Sequence, residues 1–448
     1  MTDAHNFLKK ALVAGALLAF SSSRPAAAQD WIKTGTGLGV SKARVAAPDL
    51  AARSAQAQPL EKTFHGVLWN DLEYSGILDM VSQSFYPMQV PSQPSELNAQ
   101  QWAAAPANTY MLAYGNMTAD GTDLSVAGFL SGVNSPGAPP ALQKIYRGAA
   151  TDADARRLAH QFADDIVALL GGGLPGIAQT QIAYVSARAG NKEIWAMDYD
   201  GAGAHQVTFL KTISLTPRWS PDATRIAFTC FEPYQGVTSA QICMHSTASN
   251  RPIAFPRFRG TNSSPAWSPD GTQLAFEASQ GGDPQIVTSD ATGGHVQRVT
   301  DTAGVSTSPV WNPKTGKQIV FVSDRGGDPV LYMANSDGSS VQKIDLPDMG
   351  YVIDPSWSPN GQLLAFSWRR PSGNYDIYVM DVVTHQLAEL TRDAGRNERP
   401  SWAPDGRHLV FESTRTGSRQ IWSMLADGSM THQLTFSGDN ESPNWSPR

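Results

Sequence analysis

"PNWSPR" (Pro443–Arg448) closes the chain, and it breaks off inside a motif. The same phrase occurs five times upstream, each time running on into more sequence: "PRWSPDA" from Pro217, "PAWSPDG" from Pro265, "PVWNPKTG" from Pro309, "PSWSPNG" from Pro355 and "PSWAPDG" from Pro400. The motif tryptophans are Trp219, Trp267, Trp311, Trp357, Trp402 and Trp445, spaced 48, 44, 46, 45 and 43 residues apart. A period near 45 suits one four-stranded propeller blade and is too long for a leucine-rich repeat.

Each unit has the same interior. An apolar strand follows the tryptophan motif ("RIAFTC", "QLAFEA", "QIVFVS", "LLAFSW", "HLVFES"), then a polar, Gly-rich turn, then a second strand such as "QICM" or "DIYVMD". A short outer strand ("RVT", "ELT", "QLT") ends many units. β-Branched and aromatic residues bounded by Gly, Asp, Asn and Pro read as strand-turn-strand throughout. In the motif itself, Pro pre-sets φ, Asp bonds its own backbone and Gly accepts positive φ, while the Trp anchors blade to blade. These are structural roles.

One interior lacks its motif. "QIAYVS" (181–186), "EIWAMD" (193–198) and "HQVT" (205–208) have no Trp motif before them. The first unit lacks an inner strand, and the last six residues are an inner strand lacking a unit. Together they complete a sixth blade and leave no open sheet edge. The expected fold is a six-bladed β-propeller, closed by the C-terminal strand, within residues 176–448.

The front of the chain has another texture. Lys9 and Lys10 precede the apolar "ALVAGALLAF" (11–20), and Ala26 and Ala28 stand in A-x-A spacing. This reads as a secretory signal peptide over residues 1–28, too short to span a bilayer. No Cys follows the cleavage site, which argues against a lipid anchor, and no later apolar run is long enough for direct membrane insertion. Cleavage removes three positive charges and one negative, moving the formal charge from −6 to −8. That acidity argues against nucleic acid as a partner. Two cysteines, Cys230 and Cys243, lie in two strands of one expected hairpin. They are either bridged, as an oxidising compartment allows, or two buried free thiols facing different sides.

Residues 29–175 read as a tail followed by a small N-terminal α/β domain. "ARVAAPDL" (43–50) looks like a strand, and "TADG" (118–121) marks a hairpin. In "TDADARRLAHQFADDIVALLGGG", Thr151 and Asp154 form a capping box. Leu158, Phe162, Ile166 and Leu169 share one helical face. "GGGLPGIAQT" (171–180) links the two domains.

This order of parts resembles the TolB family, the periplasmic propeller proteins of the Tol–Pal cell-envelope system. The resemblance covers essentially the whole mature chain. Its most specific piece is "RRLAHQFADDIVALLGGGLPGIAQTQIAYVS" (156–186), supported by the "WSPDG" repeats and the "PNWSPR" ending. The motif is degraded at "WNPKTG" and "WAPDG", and the mature tail "QDWIKTGTGLGVSK" matches only loosely. The resemblance implies binding and no catalysis. A Pal-like outer-membrane lipoprotein would dock on a propeller face. A TolA-like inner-membrane protein would take the tail around Asp30, Trp31, Ile32 and Lys33. The protein would be a periplasmic monomer with no cofactor or metal, serving outer-membrane integrity and cell division.

The rival class is an exported propeller enzyme, a peptidase or glycan lyase. A hydrolase needs a G-x-S-x-G elbow and a catalytic domain, and neither is found before the chain ends at blade closure. A metal lyase needs clustered histidines. His205, His295, His385 and His432 each precede the outer strand of a different unit, so they read as solvated rim residues. "GTGLGV" (35–40) misses dinucleotide-loop spacing, and "DYDG" (198–201) lacks the distal Glu of a calcium loop and reads as a turn between strands.

The inner strand places the docking face. Its two ends open on opposite faces of the ring, and "SPDG" marks one of them. The residues before each Pro-x-Trp therefore gather at the other mouth: Ser263, Ser264, Thr307, Ser308, Asp354, Glu398, Arg399 and Glu441. The resemblance makes this the lipoprotein-binding mouth, with Thr307 and Ser308 at the family's contact position. Phe258 stands where the family often has a histidine.

Overall fold

The computed structural model describes residues 42–448 apart from Gly281, Met349, Pro371, Ser372 and Asp393. The expected signal peptide, the loop "GTGLGV" and the tail residues Asp30, Trp31, Ile32 and Lys33 lie outside the described residues. The chain forms an α/β region followed by a propeller of six four-stranded sheets.

The α/β region is a mixed sheet with two long helices on one face. Its strands run in the order Leu78–Met80, Ala43–Ala46, Met111–Asp120, Asp123–Gly132, Leu142–Ala149. The first two pairings are parallel and the rest antiparallel. The helices Ala57–Tyr74 and Asp152–Leu170 bury Phe64, Leu68, Leu158, Phe162 and Ile166 against Met117, Val126 and Tyr146. Gly128 lets Phe162 approach the sheet, since a Cβ there would meet the ring at 3.0 Å.

Two local expectations for the second helix need correction. Leu169 is exposed, and the buried stripe is completed by Ala155, Ala159, Ala163 and Val167 instead. The small residues let the helix lie close to its neighbour, so the face turns away from Leu169. The capping box is half formed. Thr151 Oγ1 accepts the Asp154 N–H at 3.2 Å, but the Asp154 carboxylate turns to the Ala149 N–H and to Arg157.

The propeller closes through its split blade. Strand Asn440–Trp445 pairs antiparallel with Gln181–Ala189, which continues to Asn191–Asp198 and His205–Gln206. Asn440 stands opposite Ser186 and Trp445 opposite Ile182. Trp445 is buried, and its Nε1 donates to Thr180 Oγ1 at 2.7 Å. Elsewhere the motif Trp staples neighbouring blades: Trp267, Trp311 and Trp402 donate to the carbonyls of Arg218, Ala266 and Ser356 at 3.1–3.2 Å.

The turns explain their own composition. In "SPDG", Ser268 Oγ donates to Asp270 and accepts from the Gln273 N–H, while Asp270 also accepts the Thr272 N–H. The Ser268 hydroxyl and the Thr272 donors hold Asp270 below the usual carboxylate range.

Cys230 and Cys243 are joined by a disulfide, with Cα atoms 5.8 Å apart. Phe228 stands opposite Cys243, and Cys230 opposite Gln241, so alternation puts both sulfurs on one face of the hairpin. This corrects the reading in which two thiols face different sides.

Deleting Pro443–Arg448 should therefore strip an edge pairing and a buried anchor at once. Losing a buried Trp alone costs roughly 3–5 kcal/mol. A thermal melt of the truncated protein should fall well below that of the full chain; an unchanged melting temperature would contradict closure by this strand.

Candidate functional site

The ring is built so that every inner strand bends at the same place. Pro cannot donate to the ladder. In all six blades the register shifts just around the Pro of Pro-x-Trp, between Leu215 and Arg218, Ser263 and Ala266, Thr307 and Val310, Ile353 and Ser356, Glu398 and Ser401, and Glu441 and Asn444. The residue before that Pro is left-handed every time: Thr216, Ser264, Ser308, Asp354, Arg399 and Ser442 have φ of 49–55°. A left-handed non-Gly residue is uncommon, and six at one position form a designed bulge.

The bulge turns the backbone N–H of the left-handed residue toward the preceding blade. Ser264 N donates to Thr229 Oγ1 at 3.1 Å, Arg399 N to Ser367 Oγ at 3.0 Å and Ser442 N to Glu412 Oε2 at 2.6 Å. These six residues ring a narrow throat of about 30 Å³, with Arg218 beside them. Beyond the throat the channel widens to about 510 Å³ on the "SPDG" side, lined by the Pro and Trp residues of the motif.

Four of the eight residues singled out from sequence, Ser264, Ser308, Asp354 and Arg399, lie in the throat ring. The other four, Ser263, Thr307, Glu398 and Glu441, stand one position before it on the same strands. Sequence reasoning missed Thr216 and Ser442, which hold the same ring position. It also missed the neighbouring strand, whose Glu277 and Glu412 reach the mouth. The signal was present, since Glu after Phe in "LAFEA" and "LVFES" interrupts an apolar run.

The mouth is electrostatically divided. In one half Glu412 accepts from Arg399 Nη1 at 3.1 Å. Glu441 takes Lys192 and Arg419, with Arg399 at 3.7 Å, and Arg396 pairs with Glu398 at 2.7 Å. Burial pushes the Glu412 carboxyl up, against the pull of Arg399. Burial also raises Asp354 and lowers the Arg218 guanidinium to about 10. The other half holds the hydroxyls of Thr216, Ser263, Ser264, Thr307 and Ser308.

The α/β region seats on the opposite side. Tyr74 OH donates to Ser423 Oγ at 2.7 Å, and the Tyr74 carbonyl meets His408 Nε2 at 2.9 Å. Asp71 accepts Tyr199 OH at 2.5 Å and lies 2.7 Å from His160 Nδ1. Arg156 pairs with Asp200. The turn "DYDG" thus does more than connect strands. His432 is exposed as expected, but one side of its ring meets Tyr74 edge-on at 4.7 Å, and partial burial lowers its pKa. His205, His295 and His385 are exposed and stand in different blades.

A channelled six-bladed ring with a charged mouth on one side and a small α/β unit seated on the other defines a two-part β-propeller protein. The chain belongs to the TolB family. The family models described as TolB amino-terminal domain and TolB beta propeller domain match residues 36–136, and 171–352 with 347–448. It is 33% identical over 170 residues to a protein TolB homolog of Chlorobium chlorochromatii, covering 38% of this chain and 37% of that one. It is 32% identical over 313 residues to a Tol-Pal system protein TolB of Bordetella pertussis, covering 67% and 64%. The match thus spans less than two thirds of either relative. The crystal structure of TolB from Acinetobacter baumannii superposes with a TM-score of 0.77 at 24% identity, covering 91% of this chain and 98% of that one, and shares the fold.

Arg399→Ala should leave Glu412 without its ion-pair partner, while Glu441 keeps Lys192 and Arg419. We expect a loss of about 2 kcal/mol, below the full cost of breaking a buried pair because Arg399 is partly exposed. Burial already raises the Glu412 carboxyl, and removing Arg399 raises it further. The deficit should shrink as pH falls from neutral through the folded pKa of Glu412, and grow again on return. Denaturant melts of both proteins across pH check the sign.

Proposed function

We propose that this chain is a non-catalytic, monomeric periplasmic scaffold of the Tol–Pal system. A Pal-like outer-membrane lipoprotein docks at the mouth lined by Ser263, Ser264, Thr307, Ser308, Asp354, Glu398, Arg399 and Glu441. A TolA-like inner-membrane protein takes the tail around Asp30, Trp31, Ile32 and Lys33. Together these links serve outer-membrane integrity and cell division.

The observation that carries this reading is the division of the two faces. The α/β region seats on the "SPDG" side, through Asp71, Tyr74 and Arg156. The mouth before Pro-x-Trp, with its ring of hydroxyls and charges, faces the other way. A tail of low apolar content suits addition as a strand to a partner's edge. The scattered, exposed His205, His295 and His385 weigh against a metal-assisted lyase. Among the described residues, no helix is long and apolar enough to cross a membrane.

Two variants test the two links separately. Ser308→Arg places a long cation in the throat and should abolish capture of the lipoprotein from crosslinked envelopes while the melting temperature holds. A form starting at Lys42 should keep its melting temperature and lose the TolA-like protein. Equal lipoprotein capture by Ser308→Arg moves that interface elsewhere, and undiminished TolA binding by the shortened form removes the tail from the mechanism.

A further inference from the structure

The six blades allow one position to be compared with its own copies. The register sets Ser263 opposite Glu277 in one blade and Glu398 opposite Glu412 in another, so the two glutamates are equivalent. Their surroundings differ. Glu412 meets the guanidinium of Arg399, the left-handed residue of its own blade, at 3.1 Å. Glu277 meets Ser264 in that place, whose hydroxyl donates at 3.3 Å. The hydroxyls of Ser263 and Thr307 donate to Glu277 as well. Among the described residues Glu277 forms no ion pair, and it is only half-buried. In one half of the mouth Glu412, Glu441 and Glu398 are paired with cations of the chain itself. The other presents Glu277, oriented by three hydroxyls, while Arg218, which lines the throat, interacts with Asp354 instead.

We infer that Glu277 is where the docked partner places a basic side chain, a Lys or an Arg. This rests on the reading that a lipoprotein docks at this mouth. Three hydroxyls on one carboxylate fix its oxygens at the rim, and a partner cation arriving there completes the pair that Arg399 and Glu412 make within the chain. An ion pair at a half-exposed rim acts on encounter and specificity, and its strength falls with salt.

The test is a calorimetric titration of the full chain with the soluble domain of the Pal-like lipoprotein from the same organism, at low and high salt. Thermal melts confirm that each variant is folded. Glu277→Gln keeps shape and an acceptor oxygen but removes the charge. It should bind about tenfold more weakly at low salt, with a flatter salt dependence. Glu277→Asp keeps the charge and should retain the wild-type salt dependence. Glu277→Ala removes the charge without adding bulk to the throat and should flatten the salt dependence in the same way, which decides the matter if the Gln variant fails to fold. Equal affinity and equal salt dependence for wild type and Glu277→Gln overturn the inference while docking stands. If the wild-type chain itself does not bind the lipoprotein, the docking reading fails, and this inference with it.

Discussion

Everything in the propeller depends on one antiparallel pairing, that of Asn440–Trp445 with Gln181–Ala189. A radial stack of sheets is stable as a ring because each blade covers its neighbours' faces. Until the ends of the stack meet, the first blade lacks its inner strand. The pairing supplies that strand, buries Trp445 and ties Ser446 to both the N–H and the carbonyl of Gln181. The channel, its throat and the two faces exist only because the circle is complete.

On that circle a single local device makes the mouth. A proline interrupts the ladder, a bulge absorbs the extra residue, and the residue before it turns left-handed. The scaffold asks little of that residue's side chain, so Thr, Ser, Asp and Arg all occupy it. Chemical variety is thereby confined to a ring position whose backbone is constant. The strain of the left-handed residue is offset in three blades by a hydrogen bond from its N–H to the previous blade, which also fixes the spacing between blades.

Blade number and closure were legible in the sequence because both follow from a period and a missing strand, which need no side-chain detail. The mouth was half legible. Strand direction alone puts Ser264, Ser308, Asp354 and Arg399 at one end of the channel. Glu277 and Glu412 were passed over because they lie in runs whose other members are core, and alternation along a strand does not say which face meets a channel. The seat of the α/β region was not legible. Tyr74, Asp71 and "DYDG" are far apart in the chain, and nothing local in any of them announces that Tyr199 will donate to Asp71. Leu169 was misassigned for a related reason, since alanines rather than large residues define the packed face of that helix.

The seating of the α/β region has a consequence for the order in which the molecule is assembled. Asp71 and Arg156 hold Tyr199 and Asp200 of the split blade, and Tyr74 holds the blade beside it. His408, which touches the Tyr74 carbonyl, also packs near Trp445, with ring centres 6.4 Å apart. The platform under the helices is thus made of the split blade, finished only when the closing strand arrives, and of the blade completed just before it. The region synthesised first can fold its own sheet at once, but it waits for more than 250 residues to follow before its seat is whole. During that interval Tyr74 and the buried acid Asp71 stand exposed. Domain docking is then a report that the ring has closed, and a chain arrested short of its final strand is left with two loose halves for a protease to find.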